Sequence, residues 1–249
     1  MKWLNQDLLA FPFTGERYVP GRTSRRIAND HVERYAFAKT FVEGQRVLDI
    51  ACGVGYGSFM CLEGGANAVD GVDVCIETVN FAARSHVHPN LRFIVGNIAT
   101  YTVTTPYDVI LCFETIEHLA DYDAALRNLW MLLRPGGMLL ISSPNRFLTS
   151  PLTCSFRDTP RNQFHVHEFS VEEMQSILAT HGFVVTAGGL YGQRLQWTIQ
   201  NRVLRSAYEK LFATKWTASA RVAPVIHKTP RYFIFVASKP EEKTQCPHR

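Results

Sequence analysis

The sequence predicts an α/β domain in which a parallel β-sheet is covered by helices on both faces. Three observations carry this reading. Strand-like apolar runs alternate with helical patterns, a glycine-rich turn joins the first such strand to a helix, and the run 232–238 (YFIFVAS) supplies a closing strand. The chain has 249 residues, 46% hydrophobic and 19% charged, which suits one large domain with a sizeable insertion and is too apolar for a disordered chain. No apolar run approaches the roughly 18 residues needed to cross a bilayer, so an integral membrane protein is excluded. Residues 1–13 contain Asp7 and Pro12 and lack a basic leader, so no secretory signal is expected.

The elements follow in order. Residues 27–42 place Val32, Tyr35, Phe37, Ala38 and Phe41 at helical spacing behind a polar start at Asn29. Residues 46–51 (RVLDIA) read as a buried strand, and the glycine turn leads into a helix over 56–62. A strand at 68–74, a helix at 76–85 and a strand at 91–95 come next, then the strand 107–113 (YDVILCF) and a helix over 121–133. Arg134-Pro-Gly-Gly137 is expected to stop that helix and turn the chain into a strand at 138–142. Residues 144–168 form a polar loop long enough to suggest function, followed by a helix at 171–181 and a strand at 183–187.

Six cysteines (Cys52, Cys61, Cys75, Cys112, Cys154, Cys246) lie far apart with no Cys-x-x-Cys pair, which argues against a zinc ribbon or disulfide framework and for a reducing, cytoplasmic compartment. Charge is unevenly spread. Between residues 191 and 232 there are Arg194, Arg202, Arg205, Lys210, Lys215, Arg221, Lys228 and Arg231 against Glu209 alone; the segment is +7 and the remainder −3. Such a face suits an anionic substrate or partner, or is simply a solvated surface.

The turn Asp49-Ile-Ala-Cys-Gly53-Val-Gly55-Tyr-Gly57 joins strand to helix, where glycines let a ligand approach the backbone and the helix start offers free N–H groups. Asp49, inside the strand, would repel a pyrophosphate but pair with the ammonium of an amino-acid moiety. Asp73, at the end of the second strand, is placed to accept from ribose hydroxyls. Together they suit a nucleoside that carries an amino acid.

With these residues the sequence resembles the class I S-adenosylmethionine-dependent methyltransferases, through VLDIACGVGYG, GVDV, LRFIVGN, YDVILCFETIEHL and LLRPGG, from about residue 44 to 143. The resemblance implies a Rossmann-like, doubly wound, seven-stranded, mostly parallel sheet whose last strand is antiparallel. It further implies that Gly53 and Gly55 cradle the methionine part of S-adenosyl-L-methionine with Asp49 nearby. Asp73 and Val74 would take the ribose, Asn97 and Ile98 the adenine, and Cys112 and Phe113 would flank the sulfonium. Asn97 stands where the family more often has Asp; Cys75 receives no role.

Glu114-Thr-Ile-Glu117-His118 follows the fourth strand directly. In a helical turn these three groups share one face, a fairly hard donor set suited to Mg²⁺ or Mn²⁺, and His165 in Phe164-His-Val-His-Glu-Phe169 offers a second imidazole. The combination resembles metal-using quinone-biosynthesis O-methyltransferases and small-RNA 3′-terminal 2′-O-methyltransferases, in which Glu114, Glu117, His118 and His165 match the ligands. A metal-free base at His118 or His165, with Glu114 beside it, and a purely structural role stay open.

Thr14-Gly-Glu-Arg-Tyr18-Val-Pro20, His31-Val-Glu-Arg-Tyr35-Ala-Phe-Ala38, Ser142-Ser-Pro-Asn145 and Gly192-Gln193 resemble a bacterial subgroup associated with cell-surface polysaccharide, sugar and natural-product pathways. The expected organisation is a helical cap at 1–43, a cofactor-binding core at 44–190 with the loop 144–168 over the site, a basic helical insert or lid at 191–230, a final core strand at 231–238 and a tail at 239–249. Leu195, Ile199, Val203 and Leu204 suggest that the insert packs as a helix against the domain or in a homodimer. The resulting expectation is an O-methyltransferase acting on a hydroxyl of a sugar or related polyhydroxylated small molecule, with the basic segment favouring an anionic one. An RNA 2′-O-methyltransferase and a cofactor-binding regulatory subunit are the alternatives.

Overall fold

A computed structural model describes residues 18–197 and 219–241. Helix α1 (Arg25–Ala38) starts behind Ser24, whose side chain accepts the Ile27 amide, and passes into a 3-10 turn (Lys39–Phe41). Its start is therefore earlier than the Asn29 expected from sequence, because Ser24 is the capping residue. The elements that follow are β1 (Arg46–Ile50), α2 (Tyr56–Glu63), β2 (Ala68–Asp73), α3 (Ile76–Ser85), β3 (Leu91–Val95), β4 (Tyr107–Phe113), α4 (Tyr122–Leu132) and β5 (Leu133–Pro144). Then come α5 (Arg146–Thr149), α6 (Val171–Thr180), β6 (Val184–Gln193), β7 (Gln196–Trp197), β8 (Ala223–Pro224), β9 (Lys228–Thr229) and β10 (Tyr232–Ser238).

The main sheet runs β3-β2-β1-β4-β5-β10-β6-β8. β1 lies parallel to β2 and β4, while β10 is antiparallel to both β5 and β6. This is the expected seven-stranded, mostly parallel sheet with its last strand reversed, extended at one edge by the two-residue β8. Winding changes direction between β1 and β4, and a crevice opens there at the strands' carboxyl ends.

Alternation along the strands divides the core into two layers. Leu48, Ile50, Ile110, Cys112 and Phe235 pack with Leu126 and Leu129 of α4 and Met174 and Leu178 of α6. On the other face Val47, Val109, Leu111 and Ile234 pack with Tyr35 and Ala38 of α1 and Cys61 of α2. Both layers are apolar and closed, which fixes the strand ends that carry the site.

Four expectations need correction. Arg134-Pro-Gly-Gly137 lies inside β5, which already pairs Leu133 with Tyr107; the register shifts between Tyr107 and Val109 as the glycines are accommodated. The 144–168 segment contains α5, capped by Asn145, whose side chain accepts the Phe147 amide. β6 runs on to Gln193 because Tyr191, Gly192 and Gln193 pair with β10, so the core extends past residue 190. Where the basic insert is described, its regular elements are short strands and not helix: β8 pairs with β6 and β9 with β7. Leu195 lies between β6 and β7, whereas Ile199, Val203 and Leu204 fall outside the described residues. The tail begins tied down, with the Lys239 ammonium donating to the Trp130 and Leu133 carbonyls at 2.9 Å. No described helix is long and apolar enough to cross a membrane.

Candidate active site

Two adjoining cavities open at the carboxyl ends of β1, β2 and β4. The larger, about 740 Å³, is lined by Gly53, Asp73, Val74, Asn97, Ile98 and Phe113 among others. Gly53 (φ 55°) and Gly55 (φ 80°) both take the left-handed backbone that favours glycine. Gly55 also sits where a Cβ would come within 2.6 Å of the Phe93 ring and 2.7 Å of Ala82, so the turn is pressed against α3 and β3. The two glycines therefore differ in place: Gly53 forms part of the cavity wall, and Gly55 supports it from behind.

Asp73 organises the turn. Its Oδ2 accepts the Gly53 amide at 2.9 Å and its Oδ1 accepts the Cys75 amide at 2.9 Å, with the Thr78 hydroxyl at 3.4 Å from the same oxygen. Val74 beside it is 69% exposed. Asn97 accepts the Ala99 amide through its side-chain oxygen at 2.8 Å, while Ile98 is buried next to it.

Asp49 does not reach the cavity, contrary to the reading that set it in the cleft. Its position alternates with Leu48 and Ile50, which turns it toward α1 and α2. There it is fully buried, accepting the Tyr35 hydroxyl at 2.8 Å and the Ser58 hydroxyl at 2.6 Å. Burial raises its pKa to about 6, against the opposing effect of those two hydrogen bonds.

The head of the chain supplies residues that sequence reasoning did not assign. Tyr18, His31 and Tyr56 line the larger cavity. Tyr18 stacks on His31 with ring centres 5.6 Å apart and meets Tyr56 edge-on at 4.6 Å, and His31 Nδ1 lies 3.1 Å from the Tyr56 hydroxyl. Burial, with Arg34 adding to it, lowers the His31 pKa to about 3, so this imidazole is neutral at physiological pH. The motifs around Tyr18 and His31 were visible in the sequence, but nothing local there says that they reach β1 and α2.

The smaller cavity, about 480 Å³, shares His31, Glu114 and His118 with the larger one. In it Glu117, His118 and His165 bring one potential ligand atom each to within 4.8 Å of the others. Both imidazoles are held from behind: His118 Nδ1 lies 2.9 Å from the Phe164 carbonyl, and His165 Nδ1 lies 2.7 Å from Glu168. Glu168 also accepts the Thr149 hydroxyl. His165 Nε2 faces the Asn162 amide at 2.9 Å. Glu117 is buried, its Oε2 has no hydrogen-bond partner, and burial, reinforced by Glu114, pushes its pKa well up.

Glu114 stands apart from this cluster. Its carboxylate accepts the Ser142 hydroxyl at 2.7 Å and lies 3.5 Å from Arg34. The shared helical face expected for Glu114, Glu117 and His118 gives way to a strand end, with Glu114 at φ 47°, and a 3-10 turn at Ile116–His118. The cause is visible in the backbone, where the Glu114 amide bonds to Ser142 and keeps the residue on the sheet.

A buried polar latch ties α1 to the end of β6. Arg34 Nε donates to Gln193 Oε1 at 3.2 Å, the Gln193 amide donates to the Asp30 carbonyl at 2.9 Å, and Arg194 Nε donates to the Asp30 carboxylate at 2.8 Å.

Comparison with known proteins places this geometry in a family. A family model described as a methyltransferase domain matches residues 21–187. A protein of Mycolicibacterium smegmatis named a probable S-adenosylmethionine-dependent methyltransferase is 35% identical over 190 residues, covering 75% of this chain and 71% of its own length. A similarly named protein of Mycobacterium tuberculosis is 34% identical over 197 residues, covering 74% of this chain and 66% of its own length. Magnesium protoporphyrin IX methyltransferase from Synechocystis PCC 6803, solved with bound SAH, shares the fold with a TM-score of 0.53 at 17% identity, over 86% of this chain and 83% of that one. With a domain match over residues 21–187, which hold most of both cavities' lining, and relatives aligned over most of the chain, the chain belongs to the methyltransferase-domain family and is an S-adenosylmethionine-dependent methyltransferase.

Proposed function

We propose that this enzyme transfers the methyl group of S-adenosyl-L-methionine to a hydroxyl of a sugar or related polyhydroxylated small molecule, with Mg²⁺ or Mn²⁺ held by Glu117, His118 and His165. The observation that carries the reading is the seam between the cavities, where His118 belongs both to the larger cavity and to the cluster in the smaller one. In this assignment the larger cavity takes the cofactor. Gly53 receives its methionine part, Asp73 and Val74 the ribose, Asn97 and Ile98 the adenine, and Phe113 lies beside the sulfonium. Asp49 and Gly55 hold the wall from behind.

The donor set suits a divalent ion. Two imidazoles oriented through Nδ1 and a sealed carboxylate with an unpartnered oxygen form a compact mixed N/O set, in which an ion would take the place of the Asn162 amide at His165 Nε2, and the Glu168 and Phe164 contacts orient the rings as supports of ligating histidines do. Such an ion would lower the pKa of a bound hydroxyl. The reaction breaks the methyl–sulfur bond as the methyl–oxygen bond forms, leaving a thioether and releasing one proton from the hydroxyl. With Nδ1 of His118 donating to the Phe164 carbonyl, Nε2 is the atom that accepts this proton in a metal-free version of the same step. Glu114, fixed by Ser142 and Arg34 at the seam, orients the acceptor.

A methyl-transfer screen over nucleotide sugars, phenols and short RNAs, read by mass spectrometry with and without EDTA, tests the proposal. Methylated sugar, lost in chelator and restored by Mg²⁺ or Mn²⁺, is the expected result. Full activity in chelator removes the ion and leaves the His118 base; product on phenols or RNA alone removes the sugar.

A further inference from the structure

The smaller cavity carries two guanidinium groups that its histidine–carboxylate cluster does not use. Arg161 precedes His165 on the segment between α5 and α6, Arg231 precedes β10, and both line the cavity. Arg161 is anchored through its backbone, whose amide donates to Ser150 Oγ at 2.7 Å. The Arg231 side chain meets neutral groups, the Leu148 carbonyl at 3.4 Å and the Tyr232 hydroxyl. Among the described residues neither arginine lies in an ion pair with a carboxylate.

The carboxylates of this cavity are already committed. Glu168 serves His165 and Thr149, and Glu114 serves Ser142 and Arg34. Glu117 is only 1% exposed and belongs to the cluster. Two positive charges therefore face the space that the proposed function gives to the acceptor, and among the described residues no carboxylate is ion-paired with either. A guanidinium presents a rigid fork of donors, and a phosphate monoester carries nearly two negative charges spread over three oxygens at neutral pH. A carboxylate would balance only one of the two cations. Arg231 also gives the basic segment 191–232 a specific use, since it brings one of that segment's charges into the cavity.

We infer that Arg161 and Arg231 form an anion subsite that selects a phosphorylated polyhydroxylated acceptor, a sugar phosphate or nucleotide-linked sugar, and holds its phosphoryl group while a hydroxyl is presented at the histidine–carboxylate cluster. The inference rests on reading the smaller cavity as the acceptor site.

Calorimetry on the full chain with S-adenosylhomocysteine bound tests it, with glucose 1-phosphate, inorganic phosphate and glucose as probes. Glucose 1-phosphate is expected to bind about tenfold or more tightly than glucose, and inorganic phosphate is expected to bind detectably. R161Q and R231Q should each reduce this preference, and R161Q/R231Q should abolish it, while S-adenosylhomocysteine affinity stays at the wild-type value. Failure of both phosphate probes to bind, or a preference that survives in the double variant, overturns the subsite. Failure of the acceptor reading looks different: phosphate still binds through both arginines but does not compete with whichever acceptor the screen shows to be methylated. If that acceptor is methylated by R161Q/R231Q with unchanged KM, the subsite is overturned and the function stands.

Discussion

The Asp73 carboxylate at the end of β2 accepts the Gly53 amide of the glycine turn at 2.9 Å. One acid thus closes the turn and lines the cavity, so its loss removes both the turn's anchor and the proposed ribose contact. Asp73→Ala is expected to weaken S-adenosylhomocysteine binding about ten- to hundredfold, the scale of a lost hydrogen bond to a charged group of about 1.5–3 kcal/mol. Calorimetry measures this directly, and unchanged affinity would show that the ribose lies elsewhere.

Gly55 is expected to tolerate no side chain. Gly55→Val combines a left-handed backbone with a Cβ 2.6 Å from Phe93, and about 1–3 kcal/mol of stability should be lost, with weaker cofactor binding. Thermal unfolding with and without S-adenosylhomocysteine separates the two effects. A variant as stable as wild type would show that α3 and β3 yield at little cost.

Glu117→Gln should dissociate function from stability. The carboxylate is buried with an unpartnered oxygen and a raised pKa, so its ionised form disfavours the folded state, increasingly so as pH rises above its ordinary value. Gln keeps the shape and removes the charge. The variant should therefore melt higher than wild type, more so at pH 8 than at pH 5, while losing Mn²⁺ binding measured by electron paramagnetic resonance. A lower melting temperature at pH 8 would mean that Glu117 is paired in solution.

His31 should govern part of the acid limb of stability. Its folded pKa is about 3 against an ordinary value near 6.5, so the folded state binds fewer protons in that window. Its contribution is complete above the ordinary value and is lost as pH falls toward 3. His31→Asn should flatten the pH dependence of unfolding by up to about one proton between those limits. Denaturant titrations at stepped pH measure the slope, and an unchanged slope would place a protonated His31 in the native state.

The sheet was legible because its strands are short apolar runs separated by glycine turns and amphipathic helices, signals that need no knowledge of distant contacts. Asp73 was placed by its position at a strand end and Asn97 and Phe113 by the family resemblance, and all three line the larger cavity. Asp49 was misread because its face depends on register with α1, where Tyr35 claims it. Glu114 was misread because the residue directly after β4, at φ 47°, breaks the helical spacing on which three ligands on one face depended. Tyr18, His31 and Tyr56 were missed because their convergence on the cavity is tertiary and leaves no local pattern. The reach of β6 to Gln193 was hidden because the strand signal stops before Gly188 and Gly189, where the register with β10 shifts before pairing resumes at Leu190–Gln193.

The Asp30–Arg194 and Arg34–Gln193 contacts join positions more than 150 residues apart in sequence. During synthesis the first helix leaves the ribosome long before its partners exist, and closing so long a loop makes this joint slow to form. His31 and Tyr35, which α1 brings to the cavity wall, are therefore locked in place only after residues 193 and 194 have been made. The same wait applies to the sheet, whose strand β10 is made later still and joins β5 to β6.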